Sequence, residues 1–265
     1  MGDSMSGNGD IHILNKRLAQ TPSVQMRDLS LSGKNIAQMA EVAEFSQAEK
    51  DRKKIIYPEM KNSRLVNSFR DLRNNLLEKS KGQNTTIMVT SMVEGSGGSF
   101  VAANLAAAFA FDGSKTSLLV DANLSNSSLE NYFGTNYGVG ITDFLEDKEM
   151  KIEEVIYSSG VKRLRLIPAG KHSEYASEYL SSERISVFVN KLKRRYSDRY
   201  IIFDAPPLSD PASAKQVMHL CDLIVVIAPY GSVTGDEVAT AVAGIPKEKL
   251  AGVVINNEPV IRKSL

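Results

Sequence analysis

From residue 57 onward, short apolar runs alternate with stretches in which apolar positions recur at helical spacing. The runs are rich in branched aliphatic residues and predict six strands, at 86–90, 117–121, 165–168, 200–204, 223–228 and 251–255. Helices are predicted in the gaps, at 100–111, 182–196, 212–220 and 235–243. Strands this apolar are buried on both faces, and the gaps are long enough for helical crossovers. The pattern therefore predicts an α/β fold with a mostly parallel, doubly wound sheet.

A further helix is predicted just ahead of the first strand. Asn62-Ser63 can cap it, and an apolar stripe then advances in steps of four, three and four residues (Leu65, Phe69, Leu72, Leu76). Arg70 and Arg73 fall on a different strip of the same helix. We therefore expect both arginines to be exposed.

Residues 1–56 differ in character from the rest. Gly, Ser, Asn and Asp dominate the beginning, apolar residues recur at roughly helical spacing over 36–45, and a charged run occupies 49–54. We predict a mobile segment with one short helix, followed by a single domain over 57–265. The alternative is a segment that docks on a partner protein.

Composition narrows the function classes without naming one. The chain has 265 residues, and 32 Lys plus Arg against 31 Asp plus Glu leave a formal charge of +1, so nothing in the balance calls for a nucleic-acid partner. No apolar run is long enough to span a membrane. The single cysteine, Cys221, excludes an intramolecular disulfide framework and a cysteine-based zinc cluster. We expect a cytoplasmic protein.

The loop after the first predicted strand is rich in glycine and leads into a helix. A strand, a glycine-rich loop and a helix start together form a phosphate cradle, because backbone N–H groups point inward and the helix N-terminus is partly positive. Compared with G-x-x-x-x-G-K-[ST], the loop keeps Gly97 and Ser99 but has Met92 at the first glycine and Gly98 at the lysine. We assign as nucleotide-binding residues Gly95, Ser96, Gly97, Gly98, Ser99 and Phe100. The alternative is an ordinary Gly/Ser turn.

Two aspartates strengthen this interpretation. Asp121 and Asp204 each end an apolar strand, so both should lie at the edge of the sheet where the loop lies. A serine hydroxyl and strand-end carboxylates can hold Mg²⁺ against a polyphosphate. We therefore predict a metal site of Ser99, Asp121 and Asp204 in a P-loop NTPase architecture related to MinD and ParA. The alternative is that the aspartates cap turns or helices.

Several segments in order resemble the kinase domain of bacterial tyrosine kinases, over about residues 57–257. They lie at 64–73, 101–106, 119–124, 166–170, 202–208 and 251–256, together with the loop itself. The resemblance implies binding of ATP and Mg²⁺, autophosphorylation on tyrosine, and ring assembly through Arg70 and Arg73. It also implies a role in capsule or exopolysaccharide export beside a membrane polysaccharide co-polymerase, the chain-length regulator.

The chain departs from that family at the positions that carry charge. Gly98 replaces the phosphate-binding lysine. Asn123 replaces the second aspartate of the D-x-D pair, and Ser125 replaces the arginine that follows it. Asn67 replaces the first acidic residue of the E-x-x-R-x-x-R motif. The family's C-terminal tyrosine cluster is absent, since the last tyrosine is Tyr230.

Phosphoryl transfer depends on positioning and electrostatics, so backbone amides alone cannot replace a missing cation. Glu94 adds a further negative charge beside the loop. We interpret the chain as a pseudokinase in which Asp121 and Asp204 are vestigial and ATP or ADP with Mg²⁺ binds weakly. It would act as an adaptor at the inner face of the plasma membrane, binding the co-polymerase, an active kinase paralogue, or other copies of itself.

Two alternatives stay open. One is an active tyrosine kinase in which Lys115 or a basic residue of a neighbouring subunit replaces the lysine. The other is a localisation ATPase like MinD and ParA, for which the sequence lacks a basic amphipathic terminal helix.

Overall fold

The computed structural model describes residues 44–134, 137–172, 175–195 and 199–258. The strands are β1 Thr86–Ser91, β2 Thr116–Asp121, β3 Tyr157–Ser158, β4 Leu164–Ile167, β5 Arg199–Asp204, β6 Leu223–Pro229 and β7 Leu250–Asn256. The helices are α1 Gln47–Arg52, α2 Ser63–Lys79, α3 Gly98–Ala110, α4 Leu129–Phe133, α5 Ile141–Glu146, α6 Ala176–Ser181, α7 Glu183–Arg195, α8 Pro211–Leu220 and α9 Gly235–Ala243. A 3₁₀ turn spans Ile152–Val155.

Within the described residues the strands form one sheet in the order β3-β4-β2-β5-β1-β6-β7. Six strands are parallel, and the two-residue β3 pairs antiparallel with β4 at one edge. The six strands predicted from the sequence are all present, which confirms the mostly parallel α/β fold. The sequence pattern missed the short elements between β2 and β4 because each is too brief to show a period.

Apolar side chains fill both faces of the sheet. On one face α3 is buried from Val101 to Ala110, and its run of alanines lets it lie close against the strands. On the other face α7 and α8 supply residues such as Phe188, Leu192 and Val217. Coverage of both faces confirms the doubly wound architecture.

Asn62 caps α2 as predicted, because its side chain accepts a hydrogen bond from the Leu65 amide. The predicted exposure of the two arginines is wrong. Both are half-buried, since Arg73 Nη1 donates to the Ala108 carbonyl at 3.0 Å and Arg70 lies 5.9 Å from the centre of the Phe111 ring. Long cationic stems of this kind cover apolar surface between helices.

The folded domain begins before the boundary predicted at residue 56. Residues 47–52 form α1, which corresponds to most of the predicted charged run, and Ile55 and Ile56 are fully buried against the α3 side of the sheet. Asn104, also fully buried, holds this segment: its Oδ1 accepts from the Ile56 amide at 2.7 Å and its Nδ2 donates to the Lys54 carbonyl at 3.0 Å. Most of the helix predicted over 36–45 lies outside the described residues.

In the part of the chain that the structure describes, no helix combines the length and apolarity needed to cross a bilayer.

Asn104→Ala should destabilise the domain. The substitution leaves the buried Ile56 amide without its partner and removes one of two hydrogen bonds to the Lys54 carbonyl, which keeps the one from the Tyr132 hydroxyl. A lost buried bond typically costs about 1–3 kcal/mol. We expect a loss of about 2–4 kcal/mol in the free energy of unfolding, measured by urea denaturation. Asn75→Ala, at an exposed position on α2, is the control and should change stability by less than about 0.5 kcal/mol. Equal effects of the two variants would contradict the proposed tie.

Candidate nucleotide site

The loop between β1 and α3 follows the backbone course of a phosphate cradle. Gly95 and Gly97 have φ of 76° and 89°, in the left-handed region that favours glycine. Gly97 precedes the first turn of α3, which begins at Gly98. The first amide groups of α3 have no partner within the helix and are available to an anion.

Gly97 is also required by a close contact with the end of β7. A Cβ at this position would lie 2.2 Å from Asn256 Nδ2. That amide group donates a hydrogen bond to the Ser96 carbonyl at 2.8 Å. Asn256 therefore ties the loop to the neighbouring side of the sheet, a contact that periodicity and loop motifs do not reveal.

The predicted nucleotide-binding residues do not all face the same space. A cavity of about 330 Å³ opens above the loop and is lined by Gly95, Gly97, Gly98, Ser99 and Phe100, but not by Ser96. The Ser96 hydroxyl is buried and donates to the Val93 carbonyl at 2.8 Å, so it stabilises the turn. The Ser96 side chain therefore faces the turn, and its assignment as a nucleotide-binding residue stays a prediction.

The two strand-end aspartates are register partners across β2 and β5. Asp204 lines the cavity, is almost fully buried, and has one carboxylate oxygen, Oδ2, with no hydrogen-bond partner. Asp121 is fully buried and does not line the cavity, because its oxygens accept from the amides of Asn123 at 3.2 Å and Leu129 at 3.3 Å. Asp121 thus stabilises the loop after β2 and lies next to Asp204 on the neighbouring strand.

Burial raises the pKa of Asp204 to about 7, and a hydrogen bond with the Ser99 hydroxyl opposes the rise. The pKa of Asp121 is also raised, first by burial and second by the negative charge of Asp204, while backbone amides oppose the rise. Two buried carboxylates side by side are both ionised only when a positive charge lies beside them, and otherwise retain a proton. A divalent cation bound between Ser99 and Asp204 would supply it.

Asn126 and Ser128 are neutral polar residues of the cavity that were not predicted, whereas Asn123 was already noted in the sequence. The Ser128 hydroxyl donates to Ser99 Oγ at 2.7 Å, and Asn123 and Asn126 also line the cavity. Ser99 Oγ and the unpartnered Asp204 oxygen are hard oxygen ligands of the kind that Mg²⁺ takes alongside phosphate and water. Among the described residues no three His, Cys, Asp or Glu residues form a metal cluster by themselves. The site therefore fits a metal that arrives with a phosphate ligand.

A cation for the phosphates is lacking in the described lining of the cavity, which includes no Lys or Arg. The Glu94 carboxylate lies at the mouth, where it accepts a hydrogen bond from Asn126. Lys115 precedes β2 and lies at the opposite edge of the sheet, 6.0 Å from the ring centre of Tyr200. The alternative in which Lys115 replaces the lysine within one chain is therefore wrong.

The wider field at this edge is also negative. In the described loops that follow parallel strands, the acidic residues are Glu94, Asp210 and Glu258, and the basic one is Lys171. Lys171 Nζ lies 3.5 Å from a carboxylate oxygen of Asp143, and Glu258 lies 3.3 Å from Arg64, so both charges are compensated. Glu94 and Asp210 are the charges of these loops that remain. An anionic ligand approaching the cavity meets a repulsive field.

Comparison with known proteins decides the family. The chain is 30% identical to the tyrosine-protein kinase YwqD of Bacillus subtilis over 199 residues, which cover 74% of this chain and 82% of that protein. The chain belongs to the bacterial tyrosine kinase family. No protein-family model matches it.

Solved structures agree with a bacterial tyrosine kinase. The kinase domain of the tyrosine kinase BceF is 27% identical, with a TM-score of 0.61 over 73% of this chain and 78% of that one. MinD of Pyrococcus horikoshii, solved as a complex with Mg-ADP, shares the fold with a TM-score of 0.50 at 20% identity, over 65% of this chain and 81% of that one. The predicted relation to MinD and ParA architecture is confirmed at the level of fold.

Two neighbouring glycines offer a matched test of the loop geometry. Gly97→Ala should destabilise the protein by about 1–3 kcal/mol, because the left-handed backbone is strained and the methyl group displaces Asn256. Gly98→Ala should be neutral or stabilising, because its Cβ would meet Ser91 at ordinary contact distance, 3.5 Å, and alanine favours the helix. Thermal unfolding of both variants measures the difference. A stable Gly97→Ala variant would contradict the assigned loop conformation.

Proposed function

We propose that this chain is a catalytically impaired bacterial tyrosine kinase, a pseudokinase, that acts as an adaptor in exopolysaccharide biosynthesis and export. One observation carries the proposal: the cavity keeps a backbone cradle and a metal-binding pair but has Gly98 where the family has its phosphate-binding lysine. The site would thus offer a nucleotide its backbone amides and metal ligands but no cation to stabilise the transferred phosphoryl group.

Three electrostatic features of the site oppose the binding of ATP and the transfer of its γ-phosphoryl group. Charge builds on the γ-phosphoryl oxygens during transfer, and enzymes of this class offset it with fixed cations and metal ions. Here the described lining offers no cation, Glu94 lies at the mouth, and the loops of this edge carry more acidic than basic residues. Each feature lowers affinity for ATP, and they act on the same charges.

ATP or ADP with Mg²⁺ would bind weakly in a defined way. The amides at the beginning of α3 would contact the phosphates, while Ser99 and Asp204 would hold the metal. Asp121 would act through its register contact with Asp204. Asn123 would offer a neutral amide where the family resemblance implies a carboxylate, so the metal would gain less from the protein.

The proposed partners come from the family resemblance. They are a membrane polysaccharide co-polymerase, an active kinase paralogue, and other copies of this chain. Arg70 and Arg73 remain the proposed oligomer contacts, although their side chains also make contacts within the chain. Because part of each guanidinium is already hydrogen-bonded within the chain, we expect self-association weaker than that needed to form a stable ring.

The second candidate is an active tyrosine kinase with an unusual loop. Its support is that YwqD and other relatives are named tyrosine-protein kinases, and that Ser99 and Asp204 line one cavity in which Asp204 Oδ2 has no hydrogen-bond partner. This candidate needs a cation from a neighbouring subunit, because Lys115 lies at the far edge.

The purified chain should show no autophosphorylation with ATP and Mg²⁺. Without a cation the γ-phosphoryl group is neither held nor neutralised. Phosphotyrosine immunoblotting and mass spectrometry make the measurement, with Asp204→Ala as the control for contaminating kinase activity. Phosphotyrosine that forms on the wild type and is absent from Asp204→Ala would establish the active-kinase candidate and end the pseudokinase proposal.

Gly98→Lys should raise the affinity for ATP with Mg²⁺ by about ten- to a hundredfold, the usual range for one charge-assisted phosphate contact. The Cβ has room, since the nearest atom would lie at 3.5 Å. Calorimetry measures the affinity, and Gly98→Gln, similar in length but neutral, is the matched control and should gain little. If both variants bind as weakly as the wild type, the cradle does not accept phosphate. If Gly98→Lys weakens a tight wild-type complex, another cation already serves the site.

A further inference from the structure

The edge of the sheet opposite the cavity is basic. We use the name amino-edge face for the described loops that precede the parallel strands, together with the last turns of α2 and α7. The loops carry six basic residues, Lys81, Lys115, Lys162, Arg163, Lys247 and Lys249, against three acidic ones, Asp112, Asp222 and Glu248. The helix turns add Lys79, Lys193 and Arg194 against Glu78. A formal charge of +1 for the whole chain therefore conceals two edges of opposite sign.

The described basic residues of the amino-edge face outnumber its acidic ones by nine to four, so ion pairs within the face cannot cancel all of the positive charge. Lys193 lies 2.8 Å from Asp222 and is compensated. Arg163 donates to the Ala110 carbonyl, and Lys249 donates to the Met218 carbonyl at 3.0 Å. Carbonyl groups are neutral, so these hydrogen bonds fix the cations in place without removing their charge.

The shape of the charged region identifies the partner. The basic residues come from loops all along the sheet, from β4 to β7, and at about 4.8 Å between neighbouring strands this span is roughly 24 Å. The charge is thus spread over a broad face, with one or two basic residues in each contributing loop. We propose that the amino-edge face docks on an anionic phospholipid bilayer.

Nucleic acid fits the same charges less well. Proteins that bind nucleic acid rely on arginine forks and, for single strands, on exposed aromatic rings. In the described loops of this face the one arginine, Arg163, is engaged with backbone carbonyls. The large side chains that the described structure exposes, such as Tyr175, Tyr230 and Ile255, belong to other parts of the surface. Lysines on a broad face suit diffuse attraction to a charged plane.

This inference is independent of nucleotide binding. Docking through the amino-edge face would direct the opposite edge, with the cavity and its acidic loops, away from the bilayer. That orientation is favourable in itself, because the acidic edge would be repelled by an anionic surface. The attraction should be salt-sensitive, since no apolar group of the face is available for insertion.

Cosedimentation with vesicles tests the proposal. We expect the wild-type chain to bind vesicles of phosphatidylcholine with about 30% phosphatidylserine, not to bind phosphatidylcholine alone, and to be released at about 0.5 M NaCl. Lys79→Glu/Lys247→Glu reverses two exposed charges of the face and should lower the partition coefficient by about tenfold or more, since each surface lysine typically contributes about fivefold. Circular dichroism verifies that the variant is folded.

A charge-matched variant distinguishes the effect of the amino-edge face from the effect of the chain's net charge. Lys61→Glu/Arg64→Glu changes the formal charge by the same amount but lies at the beginning of α2, where Arg64 pairs with Glu258 after β7. It should bind vesicles like the wild type. Failure of the wild type to bind anionic vesicles, or equal losses in the two variants, would overturn the proposal. Tighter binding to a DNA duplex than to vesicles, measured by fluorescence anisotropy, would overturn it in favour of nucleic acid.

Discussion

Complete burial of α3 is the constraint on which the rest of the structure depends. From Val101 to Ala110 every residue of this helix is buried, so each polar group on it must find a partner inside the protein. Asn104 meets that demand by tying in residues 54–56. Arg73 and Arg163 donate to carbonyls at the C-terminal end of the helix. Through these contacts α2, the loop before β4 and residues 54–56 all pack on α3.

The same helix begins at the candidate site, and this links fold stability to site geometry. The cradle is fixed by Gly97 and by the Asn256 tie to β7, both of which stabilise the protein with or without a ligand. Neither contact requires a cation in the loop, so the fold accommodates Gly98 and Asn123 at the cavity.

Strong local periodicity made most of the fold predictable from the sequence. All six apolar strands and the helices after β1, β5 and β6 were found, because each repeats its pattern over enough residues to be distinctive. The orientation of Arg70 and Arg73 was not predictable, since their strip is buried by α3, a contact distant in sequence. The side-chain contacts of Ser96 and Asp121 were not predictable for a related reason: motif position shows that a residue lies at the loop, and only tertiary contacts show which way its oxygen points.

These observations bear on what family membership can establish. Gly97, Asn104 and Asn256 lie within segments that make the chain recognisable as a bacterial tyrosine kinase, and each has a structural role that requires no nucleotide. The presence of these three residues is therefore evidence for the fold and gives no information about catalysis. Binding of an anionic ligand depends on charge at the carboxyl edge of the sheet, where Lys171 and Glu258 are each in an ion pair and Glu94 and Asp210 are further acidic residues. The fold and the family therefore depend on residues that pack or tie the loop, whereas affinity for an anionic ligand depends on charges at this edge that the fold does not constrain.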